Sequence, residues 1–105
     1  MGAEQYVEFG EGVSIQDAFV KVVEQALYEY GHSGYSGTIA EKGQCRELKG
    51  KFKPAVDEKD IIQAAEDFAY HCMDDYDAWW DDKWGPSAGF HVKDDLYCFF
   101  GWASS

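Results

Sequence analysis

Four aspartates recur every seven residues in the second half of the chain: Asp60, Asp67, Asp74 and Asp81. Seven residues make nearly two turns of an α-helix, so on a helix these carboxylates fall in one stripe at a spacing of ~10 Å. Asp75, Asp77 and Asp82 widen the acidic surface, and Trp84 follows as a candidate interface anchor. Such a row suits recognition of Lys and Arg through charge-assisted hydrogen bonds. A protein surface built to hold nucleic-acid phosphates would meet carboxylates in their place. Phosphate charges on duplex DNA recur every ~1.7 Å, so one helix covers a short basic groove and does not copy the duplex. The competing reading is a solvated helix face without a partner.

Other side chains offer weaker chemistry. The neighbours Asp74 and Asp75, and Asp81 and Asp82, diverge by ~100° around a helix. A hard cation needs several oxygens converging within ~2.6 Å, and no D-x-D-x-D-G loop occurs. His32, Cys45, His71, Cys72, His91 and Cys98 include no pair at zinc-like spacing. A Cys–His nucleophile would require convergence in space that spacing does not supply. No metal, cofactor or catalytic residue is assigned. Residues 32–38 read H-S-G-Y-S-G-T. Their hydroxyls and free N–H groups suit a phosphate, which makes His32, Ser33, Tyr35, Ser36 and Thr38, with Arg46 from the basic segment that follows, an alternative ligand-binding set. Phosphate loops precede a helix, however, and this one follows a helix and precedes a strand. A plain structural connection is the competing reading.

The elements that must position these residues follow from periodicity and punctuation. Residues 5–9 alternate weakly and suggest a short strand. Ser14 reads as an N-cap with Asp17 at the third helical position. Ile15, Phe19, Val22, Val23, Ala26 and Tyr30 then share one face of a helix over 15–30, which Gly31 ends. The segment 42–53 holds five of the nine basic residues and suggests a hairpin or a ragged strand pair. Asp57 is the next N-cap candidate, opening a helix over 57–84 that Gly85-Pro86 stops. Its core side is Ile61, Ala65, Phe68, Cys72, Tyr76 and Trp79. Aspartates in its last turn oppose the helix dipole and predict fraying. Residues 88–102 read as a hairpin about Lys93-Asp94-Asp95. The order β-α-β(β)-α-β-β predicts an α+β fold: two main helices on one side of a small antiparallel sheet with a C-terminal hairpin.

At 105 residues the chain makes one domain, 1–105. A hydrophobic fraction of 46% argues against disorder despite a net charge of -11. That charge repels phosphates, which speaks against direct nucleic-acid binding, and steers association with basic proteins. There is no apolar span of membrane length and no signal-peptide pattern. Three cysteines without C-x-x-C suit free thiols in a reducing cytoplasm. Composition does not set the oligomeric state.

The segments G-Y-S-G-T-I-A-E-K (34–42), K-W-G-P (83–86) and F-F-G-W-A-S (99–104) resemble motifs of small bacteriophage-encoded proteins that carry no established activity. The resemblance covers about a fifth of the chain and assigns no residue a role. It implies host cytoplasm, and a setting in which small acidic proteins block host defence machinery such as restriction or CRISPR complexes. The leading expectation is a non-enzymatic inhibitor whose acidic helix docks on a basic, nucleic-acid-binding surface of a host protein. The alternative is a binder of a small ligand or nucleotide signal through the 32–38 loop and aromatic stacking.

Overall fold

The Ser14 hydroxyl accepts the Asp17 N–H at 3.2 Å, and the Asp17 carboxylate reaches back to accept the Val13 N–H at 3.1 Å. This reciprocal cap starts the first helix where its side-chain pattern predicts it. The computed structural model describes residues 3–30, 39, 42–48, 52, 60–74 and 85–104. Among them the chain order is β1 (Ala3–Glu11), α1 (Ile15–Tyr30), β2 (Cys45–Glu47), α2 (Ile61–Met73), β3 (Ser87–Lys93) and β4 (Leu96–Ser104). The fold is α+β, with two helices packed on a four-stranded sheet of order β1-β4-β3-β2 and a C-terminal hairpin, β3–β4.

The sheet is mixed. β1 and β3 each pair antiparallel with β4, whereas β2 lies parallel to β3, so among the described residues Cys45–Glu47 pairs with a distant strand and not across a local hairpin. A parallel neighbour requires a crossover, and α2 supplies it. The helices also do not share one side of the sheet. Along β4, Phe99 and Ala103 pack with Ile15, Phe19, Val22 and Ala26 of α1. Cys98 and Phe100, pointing the other way, pack with Ile61, Ala65, Ala69 and Met73 of α2. The result is three layers with the sheet in the middle. Handedness accounts for it: the chain crosses from β1 to β2 in one sense and returns from β2 to β3 in the other. Two crossovers of the same right hand then place their helices on opposite faces.

Small residues let the layers approach. Ala65 and Ala69 are fully buried, and Phe68 beside them closes an aromatic group with Phe52 and Phe90. The Phe90 ring lies 4.9 Å from Phe52, 5.0 Å from Phe68 and 6.1 Å from Phe100, all inclined as ring quadrupoles favour. On the other face Gly89 leaves room for Phe99, since a Cβ there would stand 2.8 Å from the Phe99 ring. Gly101, at φ 154°, lies against Tyr6, whose buried hydroxyl has no hydrogen-bond partner among the described residues. Burial pushes the Tyr6 phenol far above its ordinary pKa, against a lowering influence of the Ser87 side chain. The hairpin turns at Asp94, a non-glycine residue at φ 45°. The His91 Nε2–H donates to its carbonyl at 2.7 Å. A bulge between His91 and Lys93 adjusts the register.

Candidate functional site

The second helix is shorter than the span 57–84. Asp60, expected at its third position, is instead its N-cap and makes no side-chain capping bond. Its C-cap is Asp74, whose N–H reaches the carbonyls of His71 and Cys72. Helix termination at this point is what the dipole argues for, because the Asp74 carboxylate lies at its negative end. Residues 75–84 lie outside the described residues, and with them Asp75, Asp77, Asp81, Asp82 and Trp84. The core positions Tyr76 and Trp79 and the N-cap candidate Asp57 are outside them too.

Three aspartates of the expected stripe are among the described residues, Asp67 on α2 and Asp60 and Asp74 at its caps. Asp60, Asp67 and Asp74 are exposed, on the side away from buried Ile61, Ala65, Ala69 and Met73. Asp67 accepts a hydrogen bond from the Gln63 side chain at 3.0 Å. Among the described residues none of the three aspartates forms an ion pair. The stripe is not a pure row of carboxylates. Tyr70, 45% exposed, and His71 share the outer side. Such a surface offers a protein partner apolar contact as well as charge. The buried stripe is also turned slightly from the expected one: Ala69 and Met73 lie deepest, and Phe68 and Cys72 are half-buried at its flank.

A second acidic surface was not evident from spacing. Residues 1–30 contain Glu4, Glu8, Glu11, Asp17, Glu24 and Glu29 against one cation, Lys21. Packing α1 across β1 opens a groove of about 320 Å³ between them, lined by Glu8, Glu11 and Glu29 and floored by Gly10, Val22 and Ala26. Gly10 is required there, because a Cβ would overlap Val22 Cγ2. Lys21 also lines the groove but is bound to Asp17, its Nζ 3.0 Å from Oδ2. This pairing holds the Asp17 carboxyl below its ordinary pKa, helped by the Val13 N–H. The Glu8 carboxylate behaves oppositely. Glu8 is an exposed residue, yet its carboxyl is partly desolvated against the groove, and Glu29 repels it from across the groove; both raise its pKa. Gln25 Nε2 donates to Glu29 Oε1 at 2.9 Å and steadies that carboxylate. Glu8 and Glu29 are 21 positions apart, and only the β1–α1 packing joins them.

The alternative ligand set is less accessible to structural argument. His32, Ser33, Tyr35, Ser36 and Thr38 lie outside the described residues. Arg46 is exposed on β2. Of the basic segment, Lys42 is buried, and its Nζ donates to the Gly85 carbonyl at 2.9 Å. With the Ser87 N–H donating to the Gln44 carbonyl at 2.9 Å, it ties the start of β2 to the start of β3. Lys42 therefore has a structural role there. Among the described residues no three His, Cys, Asp or Glu side chains group as a metal site. None of Cys45, Cys72 and Cys98 is in a disulfide. Burial pushes the Cys45 thiol up to about 11, although the Gln16 amide donates to its sulfur at 3.5 Å, and burial raises Cys98 further. No described helix is long and apolar enough to cross a membrane.

The fold and these surfaces define an acidic, three-layer α+β protein. Comparison of the chain with protein-family models, curated proteins and solved structures finds no match.

Proposed function

We propose that this is a non-enzymatic binding protein that docks carboxylates on the basic surface of a partner protein, one that itself binds nucleic acid. The observation that carries this reading is the outer side of α2. It presents Asp67, with Asp60 and Asp74 at the helix caps two turns to either side, beside exposed Tyr70. Carboxylates supply steering and hydrogen bonds to Lys and Arg. Tyr70 adds desolvated contact of the kind protein interfaces use. The phage-type resemblance makes a host defence protein the partner we favour. Three free thiols support a reducing cytoplasm as its compartment.

The test compares the native chain with a variant carrying Asp60→Lys, Asp67→Lys and Asp74→Lys, first matched by thermal melting. Proteins retained from a host lysate should bind nucleic acid, should elute with salt and should be displaced by added duplex DNA. The variant should retain none of them. Retention that survives both charge reversal and DNA competition would refute the reading. So would a nucleotide that raises the melting temperature of the free protein while the variant stays active, an outcome that returns the 32–38 loop to first place.

A further inference from the structure

We propose that the outer edge of β1, with the acidic groove beside it, receives an extended basic segment of a partner protein as an added antiparallel or parallel strand. The inference is independent of the α2 surface and rests on three observations.

The first is an available edge. β1 is nine residues long, runs in unbroken register against β4 and ends the sheet among the described residues. The Gly12 N–H donates to the Asp95 carbonyl at 3.0 Å, continuing the same register. In an antiparallel ladder the residues that exchange bonds alternate. The even-numbered residues of β1 therefore bond to β4. Gln5, Val7, Phe9 and Glu11 turn their N–H and C=O groups to the open edge. Long open edges are hazards that proteins usually cover, shorten or charge.

The second is the groove between this edge and α1. A strand laid along β1 has alternate side chains on the α1 side. Those side chains would enter the space that Gly10, Val22 and Ala26 leave open.

The third is charge. Glu8, Glu11 and Glu29 line that space, and its one cation is already engaged by Asp17. Glu8 and Glu29 repel each other, so a Lys or Arg placed between them relieves an existing cost. A second copy of this chain is a poor occupant, because each copy carries -11. A basic strand satisfies both the backbone edge and the carboxylates, which is the logic of recognition by strand addition.

The experiment titrates isotope-labelled full-length protein with a ten-residue peptide of alternating Lys and Thr, and with its Glu-Thr counterpart, followed by amide NMR and hydrogen exchange. The Lys-Thr peptide should shift the amides of Gln5, Val7, Phe9 and Glu11 and newly protect them, while adding no protection to their even-numbered neighbours, which β4 already holds. Gln5→Pro removes an outward N–H at an exposed edge position, where proline is tolerated. It should weaken binding by about tenfold, as should Glu8→Lys with Glu29→Lys, whose contacts become repulsive. Asp67→Lys with Asp74→Lys should leave this binding within about twofold, since distant sites act independently, which separates failure here from failure of the α2 reading. The proposal is overturned if the Lys-Thr peptide does not bind, if the Glu-Thr peptide binds equally, or if the protected amides are not the odd-numbered ones of β1. A Gln5→Pro variant that melts like the native protein and binds as tightly would likewise show that the edge is not used.

Discussion

Introducing a methyl group at Gly10 tests the β1–α1 packing that creates the acidic groove. A Cβ at this position overlaps Val22 Cγ2, approaches the Ala18 carbonyl to 3.3 Å and lies 3.7 Å from Val22 Cβ. Val22 is buried among Phe19, Ala26 and the sheet, so its methyl cannot swing away freely. Overpacking of this kind costs about 1–3 kcal/mol. Replacing a strand glycine returns roughly 0.5–1 kcal/mol of unfolded-state entropy. Gly10→Ala alone should therefore destabilise by about 1–2 kcal/mol. Val22→Ala alone deletes two buried methyl groups and should cost about 2 kcal/mol. Together the two changes remove the overlap with Cγ2 and leave a tight approach to the Ala18 carbonyl at 3.3 Å and an ordinary contact to Cβ at 3.7 Å. In the Val22→Ala background Gly10→Ala should then be neutral within about 0.5 kcal/mol, or stabilising. A double-mutant cycle by urea unfolding, with m-values held constant, measures the coupling at roughly 1–2 kcal/mol. Additive costs would mean that α1 does not lie over Gly10, and the pairing of Glu8 with Glu29 would go with it.

Three further outcomes are expected. Phe90→Ala, at the centre of the Phe52, Phe68 and Phe100 rings and 1% exposed, should destabilise by about 3–5 kcal/mol in the same assay; a cost under about 1 kcal/mol would contradict that packing. Because the folded state raises the Glu8 pKa above its ordinary value, its destabilising effect is absent below the ordinary carboxyl pKa and develops as pH rises through the folded value. Glu8→Gln should thus raise the melting temperature at pH 7 and leave it unchanged near pH 3, by less than about 1 kcal/mol because solvent screens the group; a lower melting point at pH 7 would reverse the assigned sign. Native protein at pH 8 should react with a thiol reagent first at half-buried Cys72, while buried Cys45 and Cys98, with raised pKa values, wait for unfolding; equal rates at all three would contradict their burial.

What the sequence disclosed depended on how local the signal was. α1 was legible because its cap, its face and its end all lie within one helix. The hairpin was legible because strand formers flank a polar turn. The two-sided burial of the sheet was not read, although a sign of it was present. Residues 96–103 run Leu-Tyr-Cys-Phe-Phe-Gly-Trp-Ala with almost no polar alternation, as a strand covered on both faces does. The parallel strand β2 is three residues long, too short for any period, and its partner is set by a crossover. In α2 the large side chains pointed to Phe68 and Cys72 as the core. Ile61 and Ala65 are buried as expected, but close packing continues the line through Ala69 and Met73 rather than through Phe68 and Cys72. The stripe of Asp60, Asp67 and Asp74 was readable from spacing because a helix converts spacing into direction. The Glu8–Glu29 groove was not, because a strand and a helix contribute one wall each.

The three-layer arrangement decides how the two acidic surfaces relate. α1 and the α1-facing side of β1 carry one; the outer side of α2 carries the other, across the sheet. Packed layers lie ~8–10 Å apart, so the two helix axes are separated by roughly twice that, and the outward carboxylates by more. The Debye length at physiological ionic strength is ~8 Å. Each surface is therefore nearly blind to the charge state of the other, and a cation bound at one does little to relieve the other. Within a single surface the reverse holds: Glu29 raises the pKa of Glu8, and Lys21 lowers that of Asp17. Charge reversal on α2 and on the β1–α1 groove should consequently act additively. A basic partner that neutralises only one of them leaves the second surface, with its own geometry, free for another segment of the same partner.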